Sequence, residues 1–348
     1  MFSDNTDIKR FIHRVLIGSL PLCVFLAVIV YFYFSVRPDM VGDLGELGKI
    51  RFDRDYNERM YRPVVSNGMP AGYCPGTTLS AVVTVGDSFS QQRPNGYQAF
   101  LYEYVGKPIT NIPVDQTQAD PEQVVCDMVN SGFFDSHPEV EWVIVETVER
   151  EFIKRWLKLD TARVVRHFPI LRPGKGKAAD SRDFAGRVFR QGVDWLKLSA
   201  GLEKSPVKSV GLNRECFTEP GKESVLYFYQ DDLDCLSATD GEIADVAAKL
   251  SALHRRFAAR GINMLFMLAP DKYELYQHLA VDNPYPSRPL GSQLLALDSL
   301  GFVVNPLPEL SRRLESGEKD LFMADDSHWS AKSADVAASL VATKMQAR

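Results

Sequence analysis

Residues 79–88 read LSAVVTVGDS, and the fold of the whole chain is read outward from them. The run from Leu79 to Val85 is short, apolar and β-branched, with no alternation of polar and apolar positions. That is the pattern of a strand buried on both faces. It ends at Gly86-Asp87-Ser88, and GYQAFLYEYVG (96–106) follows with helical spacing and Gly106 as a C-cap. Four more runs have strand character: PITNIPV (108–114), EWVIVETV (141–148), INMLFMLAP (262–270) and FVVNPL (302–307). Helices are predicted between them. One opens at Asp120-Pro121 and runs to Val129, with Asp120 as N-cap and Pro121 in the first turn. A second opens at Thr239 with Glu242 at capping-box spacing. It carries Ile243, Val246, Ala247, Leu250, Leu253 and Phe257 at helical intervals and stops at Gly261. A final Ala-rich helix follows Ser330. Strands alternating with helices predict an α/β fold whose mostly parallel sheet is covered on both faces.

The N-terminus is of another kind. Residues 15–36, VLIGSLPLCVFLAVIVYFYFSV, carry no charge and are long enough to cross a hydrocarbon core as a helix. Pro21 is tolerated in such a helix. Lys9, Arg10 and Arg14 precede the run, so residues 1–14 are expected in the cytoplasm and the body on the exported side. A cleaved signal peptide is the rival reading. Its apolar region is shorter and ends at small residues, whereas this one ends in aromatic YFYFSV. Residues 37–75 are polar and read as a stalk. Residues 76–348 are then one large domain with a basic insertion at about 151–222.

Net charge is −5, which does not indicate nucleic-acid binding. Between 151 and 223, however, 16 Lys/Arg face nine Asp/Glu, and this stretch is either a solvated face or a surface for lipid headgroups or anionic glycan. Within it, RDFAGRVFRQGVDWLKL (182–198) is a candidate basic amphipathic helix, while RPGKGK lacks the spacing of a phosphate loop. Four cysteines follow the apolar run: Cys74, Cys126, Cys216 and Cys235. They allow two disulfides in three connectivities or four buried thiols, and none has zinc-site spacing. No metal and no cofactor is expected.

In open α/β sheets ligands sit beyond the carboxyl ends of the strands. Ser88 falls at such an end, before a helix whose N–H groups suit a developing oxyanion. A serine hydroxyl needs a base to act at neutral pH. Of six histidines, His13 lies before the apolar run, and His137, His167, His254 and His278 lack a carboxylate in a motif-like setting. His328 follows Asp325 and Asp326 in DDSHW, on a loop before a helix. A carboxylate two or three residues upstream can bond the second ring nitrogen and set the tautomer.

VGDSFS and DDSHW resemble the nucleophile and Asp/His blocks of the SGNH (GDSL-type) hydrolases. WVIVETVER, GINMLFMLAPDKYELY and DSHWSAKSADVAA resemble more narrowly the alginate O-acetyltransferase branch. The resemblance covers about 75–155 and 225–345 and implies an SGNH-like three-layer domain. It implies Ser88 as nucleophile and His328 as base. DSHW matches the D-x-H pattern of that branch more closely, which selects Asp326 as the carboxylate; the general D-x-x-H pattern would select Asp325 instead. Two departures stand out. Here the serine block precedes the Asp/His block, and the G-x-N-D block expected after Val145 is replaced by Glu146-Thr147-Val148-Glu149-Arg150. Arg93, Asn95 and Arg150 are the remaining candidates for oxyanion or substrate binding, with a structural ion pair as the other reading of Arg150.

The function implied is O-acetylation of an exported bacterial polysaccharide, with acetyl groups passed across the membrane by a membrane-bound O-acyltransferase. The site implied is the periplasmic face of the inner membrane. Two other readings remain open, an anchored esterase or polysaccharide deacetylase and a non-catalytic glycan-binding assembly protein.

Overall fold

The computed structural model describes residues 5–36, 42–64, 70–73, 78–92, 95–163 apart from 115, 116 and 118, then 165, 168 and 197, and 204–347 apart from 235, 236, 288 and 289. Arg93, His167, Cys74, Cys235 and the 182–196 part of the expected basic amphipathic helix lie outside the described residues.

Among the described residues eight strands are formed: β1 (Ala71–Gly72), β2 (Val82–Gly86), β3 (Ile109–Pro113), β4 (Trp142–Val148), β5 (Val207–Gly211), β6 (Val225–Tyr229), β7 (Asn263–Ala269) and β8 (Val303–Val304). Six of them make one parallel sheet in the order β1-β3-β2-β4-β7-β8. Every residue of β2 and β4 is buried, as their unbroken apolar runs require. The five strands expected from sequence are β2, β3, β4, β7 and β8. The antiparallel β5–β6 hairpin was not read from the sequence. Its burial alternates along β6, and its residues lie in and just past the stretch taken as a basic insertion.

The α-helices among the described residues are α1 (Asn5–Val36), α2 (Asp43–Gly48), α3 (Arg54–Met60), α4 (Tyr97–Val105), α5 (Pro121–Asn130), α6 (Glu149–Lys158), α7 (Asp240–Ala258), α8 (Lys272–Tyr276), α9 (Leu290–Leu294), α10 (Leu307–Glu315) and α11 (Ala331–Gln346). Their ends follow the expected chemistry. Gly106 closes α4 with φ +63°, and the Thr239–Glu242 capping box opens α7. The Ser330 side chain caps α11 by accepting from the Lys332 N–H. Helices α4 and α11 pack together, as do α5, α6 and α7, and these two groups cover the sheet. The fold is thus α/β with a mostly parallel sheet.

Helix α1 contains one apolar stretch, Ile8–Val28, with mean hydropathy 2.0 and no burial against the rest of the chain. It is long and apolar enough to cross a membrane, as an anchor or as a signal sequence. Residues 42–64 are not the polar stalk that the sequence suggested. Leu44 and Tyr56 are fully buried and Phe52 nearly so, because α2 and α3 carry these apolar side chains into the domain. Asp53 caps α3 by accepting from the Tyr56 N–H, and its own N–H donates to Glu219 at 2.7 Å. Cys126 and Cys216 are buried free thiols.

Candidate active site

Because β2, β4 and β7 are parallel, their carboxyl ends lie along one edge of the sheet. The chain leaves β2 toward β3 on one side and later returns to β4 on the other. The β2–β4 boundary is therefore the point where the winding reverses, the place where such sheets open a crevice. Gly86-Asp87-Ser88 emerges there. A Cβ on Gly86 would overlap the Ser90 hydroxyl and the Glu146 carboxylate, so only glycine lets the strand pass this close. Asp87 then fixes the turn. Its Oδ1 accepts from the Phe89 N–H at 3.2 Å, and its Oδ2 accepts from the Val148 N–H at 2.9 Å and from Arg155 at 3.3 Å. The result is a short 3-10 turn, residues 88–91, with Ser88 exposed and Phe89 fully buried.

Below the turn, Glu146 is fully buried and accepts from the Ser90 hydroxyl at 2.9 Å. Burial and the nearby Asp87 charge push its carboxyl well above the ordinary range. It stands where the G-x-N-D block was sought, and it supports the turn from beneath.

The second half of the site is the loop 323–330. Asp326 Oδ1 accepts from the His328 backbone N–H at 3.0 Å and lies 2.5 Å from His328 Nδ1. It is Asp326, and not Asp325, that touches the imidazole. Asp325 Oδ2 instead accepts from the Gly42 N–H at 2.9 Å and from the Tyr61 hydroxyl at 3.3 Å. Tyr61 also donates to Asp326 Oδ2 at 3.0 Å. Lys272, fully buried at the start of α8, ties the loop down by donating to the carbonyls of Met323, Ala324 and Asp326 at 2.6, 3.0 and 3.0 Å.

These contacts set the charges. Burial opposes ionisation of Asp326, but the hydrogen bond and charge of His328 outweigh it and hold the carboxyl well below its usual range. Burial and the Asp326 charge push Asp325 up to about 7. Burial also opposes charging of His328. The Asp326 hydrogen bond and the charges of Asp326 and Asp43 win, and the ring's proton affinity is raised despite Arg150. Lys272 is pushed down to about 8 by burial, against the pull of the surrounding aspartates.

Ser88 and His328 face one cleft of about 430 Å³, lined also by Tyr61, Gln91, Gln92, Asn95 and Asp326. His328 packs on Phe89 with ring centroids 4.8 Å apart, and Phe89 in turn meets Trp329 edge-on. That packing fixes the imidazole plane, while His328 Nε2 is left without a hydrogen-bond partner among the described residues. The cleft is therefore lined by an exposed serine hydroxyl and by an imidazole whose Nδ1 is held by a carboxylate and whose Nε2 is buried.

The other candidates separate. Asn95 lines the cleft, but its amide mainly holds the 60–64 segment, donating to the Met60 and Arg62 carbonyls and accepting from the Val64 N–H. Arg150 is not in the cleft wall. It is paired with Asp271 at 2.7 Å and Asp232 at 3.4 Å, across the carboxyl ends of β4 and β7, so the ion-pair reading describes its place. Gln91 and Gln92 were missed, although they follow Ser88 by one turn and so share its side. Tyr61 and Asp43 were also missed. They lie more than 260 residues from the Asp/His loop, and no local pattern links them to it. Asp43, Asp326 and His328 could together offer three metal-ligand atoms within 4.8 Å. Those atoms already serve one another and Ser327.

A parallel sheet covered on both faces, with a serine turn and an Asp–His loop lining one cleft beyond its strand ends, is the layout of an SGNH hydrolase-like domain. Residues 220–348 match the family described as SGNH hydrolase-like domain, acetyltransferase AlgX, so this part of the chain is similar to that branch. The matched stretch contains Asp326 and His328 and begins after Ser88. No curated protein and no solved structure matches the chain.

Proposed function

We propose that the protein is an O-acetyltransferase that acetylates an exported polysaccharide through a Ser88 acyl-enzyme. One observation carries the reading: Ser88 and His328 line one cleft, with the ring's Nδ1 held by Asp326 and its Nε2 without a hydrogen-bond partner among the described residues. In the first step His328 Nε2 removes the Ser88 hydroxyl proton, and Oγ attacks the acetyl carbonyl of the donor. The ring's positive charge is offset by Asp326. The Phe89 and Ser90 N–H groups are committed to Asp87, so the Ser88 N–H is the oxyanion donor we assign to this turn, with the Gln91 amide beside it. Collapse of the tetrahedral intermediate expels the donor's leaving group, which takes the proton from His328. In the second step a sugar hydroxyl gives its proton to His328 and attacks the acyl-enzyme, so the acetyl group passes to the sugar and Ser88 is regenerated.

The apolar helix supports a membrane setting, with the N-terminus in the cytoplasm and the domain in the periplasm of a bacterial inner membrane. Val36 ends that helix and Gly42 already bonds Asp325, so six peptide steps separate them. Their reach is at most about 22 Å. A site tethered so close to the bilayer suits an acetyl group delivered by a membrane-bound O-acyltransferase.

Ser88→Ala is expected to abolish acetylation of the glycan while leaving the thermal unfolding curve in place, since the side chain is exposed. Persistent acetylation in that variant would show the nucleophile to be another group. Release of free acetate with no transfer to added oligosaccharide would identify an esterase.

A further inference from the structure

We propose that the segment following the apolar helix, residues 42–61, is a working arm of the active site, in which Asp43 is a positioning residue for His328. The inference rests on the assignment of Ser88, His328 and Asp326 above.

Five residues of this short segment converge on the loop that carries the histidine. The Gly42 N–H donates to Asp325 Oδ2 at 2.9 Å, and the Gly45 N–H donates to the Asp325 carbonyl at 3.0 Å. The Ala324 N–H donates to the Tyr56 hydroxyl at 2.7 Å, and the Tyr61 hydroxyl donates to Asp326 at 3.0 Å. Asp43 accepts from the Ser327 N–H at 2.7 Å with one oxygen and from the Ser327 hydroxyl with the other. A Cβ on Gly42 would collide with the Asp325 backbone and carboxyl, so the close approach depends on glycine. None of these five residues lies in the stretch 220–348 that matches the acetyltransferase family.

Asp43 does more than close the loop. Its Oδ2 is 3.9 Å from His328 Nδ1, on the same side of the ring as Asp326 and away from Nε2. When the ring takes the Ser88 proton, its positive charge sits beside two carboxylates. The other charged or titratable groups around it are Tyr61 and Asp325 behind Asp326, Lys272 beneath the loop carbonyls, and Arg150, whose charge opposes. Asp43 raises the proton affinity of His328 together with Asp326. Its own carboxyl is pushed up by partial burial and by the Asp326 charge. An element that would be a spacer in a simple anchored enzyme thus orients the base.

The test uses the full chain in detergent micelles, with p-nitrophenyl acetate as the probe ester. Asp43→Asn keeps an acceptor for Ser327 and removes the charge. It is expected to lower kcat about 10- to 100-fold with KM little changed, and to move the acid limb of the pH profile to lower pH. Asp43→Glu is expected to return the limb toward its original position. Unchanged kcat and limb overturn the proposal, as does a fall in kcat with lowered thermal stability and an unmoved limb. A second measurement needs no turnover: the His328 ring is titrated by NMR in Ser88→Ala, with and without Asp43→Asn. A lower midpoint in the double variant is expected, and an equal midpoint overturns the proposal. Ester turnover persisting in Ser88→Ala alone would sink the nucleophile assignment instead, and the NMR comparison would still decide the role of Asp43.

Discussion

Asp325 and Asp326 are adjacent in sequence, yet their environments push their charges in opposite directions. Asp326 meets an imidazole and a tyrosine hydroxyl and stays ionised, whereas Asp325, pushed up to about 7, sits beside that negative charge and is bound by a backbone N–H. Two outcomes are expected at this scale. Asp326→Asn replaces the charged acceptor that selects the tautomer, and a loss of roughly 10³- to 10⁴-fold in kcat is expected. Asp325→Asn retains acceptors for Gly42 and Tyr61 and should lose far less. Steady-state rates on a small acetyl ester compare the two. The second outcome concerns pH. A base must be neutral to take the Ser88 proton, and His328 holds its own proton to a higher pH than the ordinary value of 6.5. The acid limb of kcat/KM is therefore expected above 6.5, with activity rising as pH increases through it. A limb at or below the ordinary value would show that His328 is not the titrating base.

Among the elements, α8 does more than its five residues suggest. Its first residue, Lys272, is wholly buried and donates to three carbonyls of the Asp/His loop. In Lys272→Met the Ala324 and Asp326 carbonyls lose this donor while remaining buried, and the Met323 carbonyl keeps only the Asp326 N–H at 3.4 Å. A destabilisation of about 3 kcal/mol or more is expected, from unpaired polar groups costing roughly 1–3 kcal/mol each. Denaturant unfolding measures it, and a loss below about 1 kcal/mol would mean that the loop finds other donors. The β2 turn divides its work in the same way. Gly86 supplies space and Asp87 commits both carboxylate oxygens to backbone N–H groups and Arg155, so the turn that presents Ser88 is held by its neighbours. The sequence motif GDS thus separates into one residue for clearance, one for geometry and one for chemistry.

On the scale of the whole molecule, the domain does not begin at residue 76, where the sequence reading placed its start. Leu44, Phe52 and Tyr56 are core residues, so a chain cut at residue 76 would leave their pockets open and the Asp/His loop unsupported. A chain starting at residue 38 is expected to fold and to hydrolyse esters without the apolar helix. A chain starting at 76 is expected to unfold at a lower temperature and to have lost most activity. Equal melting temperatures for the two would show that residues 42–61 contribute no stability.

Five strands of the sheet, helices α4, α5, α7 and α11, and the Ser88 and His328 blocks were legible in the sequence, because they are encoded locally; α6 and β1 were not. Buried runs such as VVTVG and NMLFMLA, the Thr239–Glu242 box and the DDSH spacing need no distant partner to be read. The tertiary structure alone decided the rest. It gave Asp325 its own partners in Gly42 and Tyr61, away from the imidazole, and drew Arg150 into a pair with Asp271 and Asp232. It also turned an apparent stalk into a clamp. Each of these depends on which groups meet across hundreds of residues and compete for the same hydrogen bonds, and that competition is settled by packing in three dimensions.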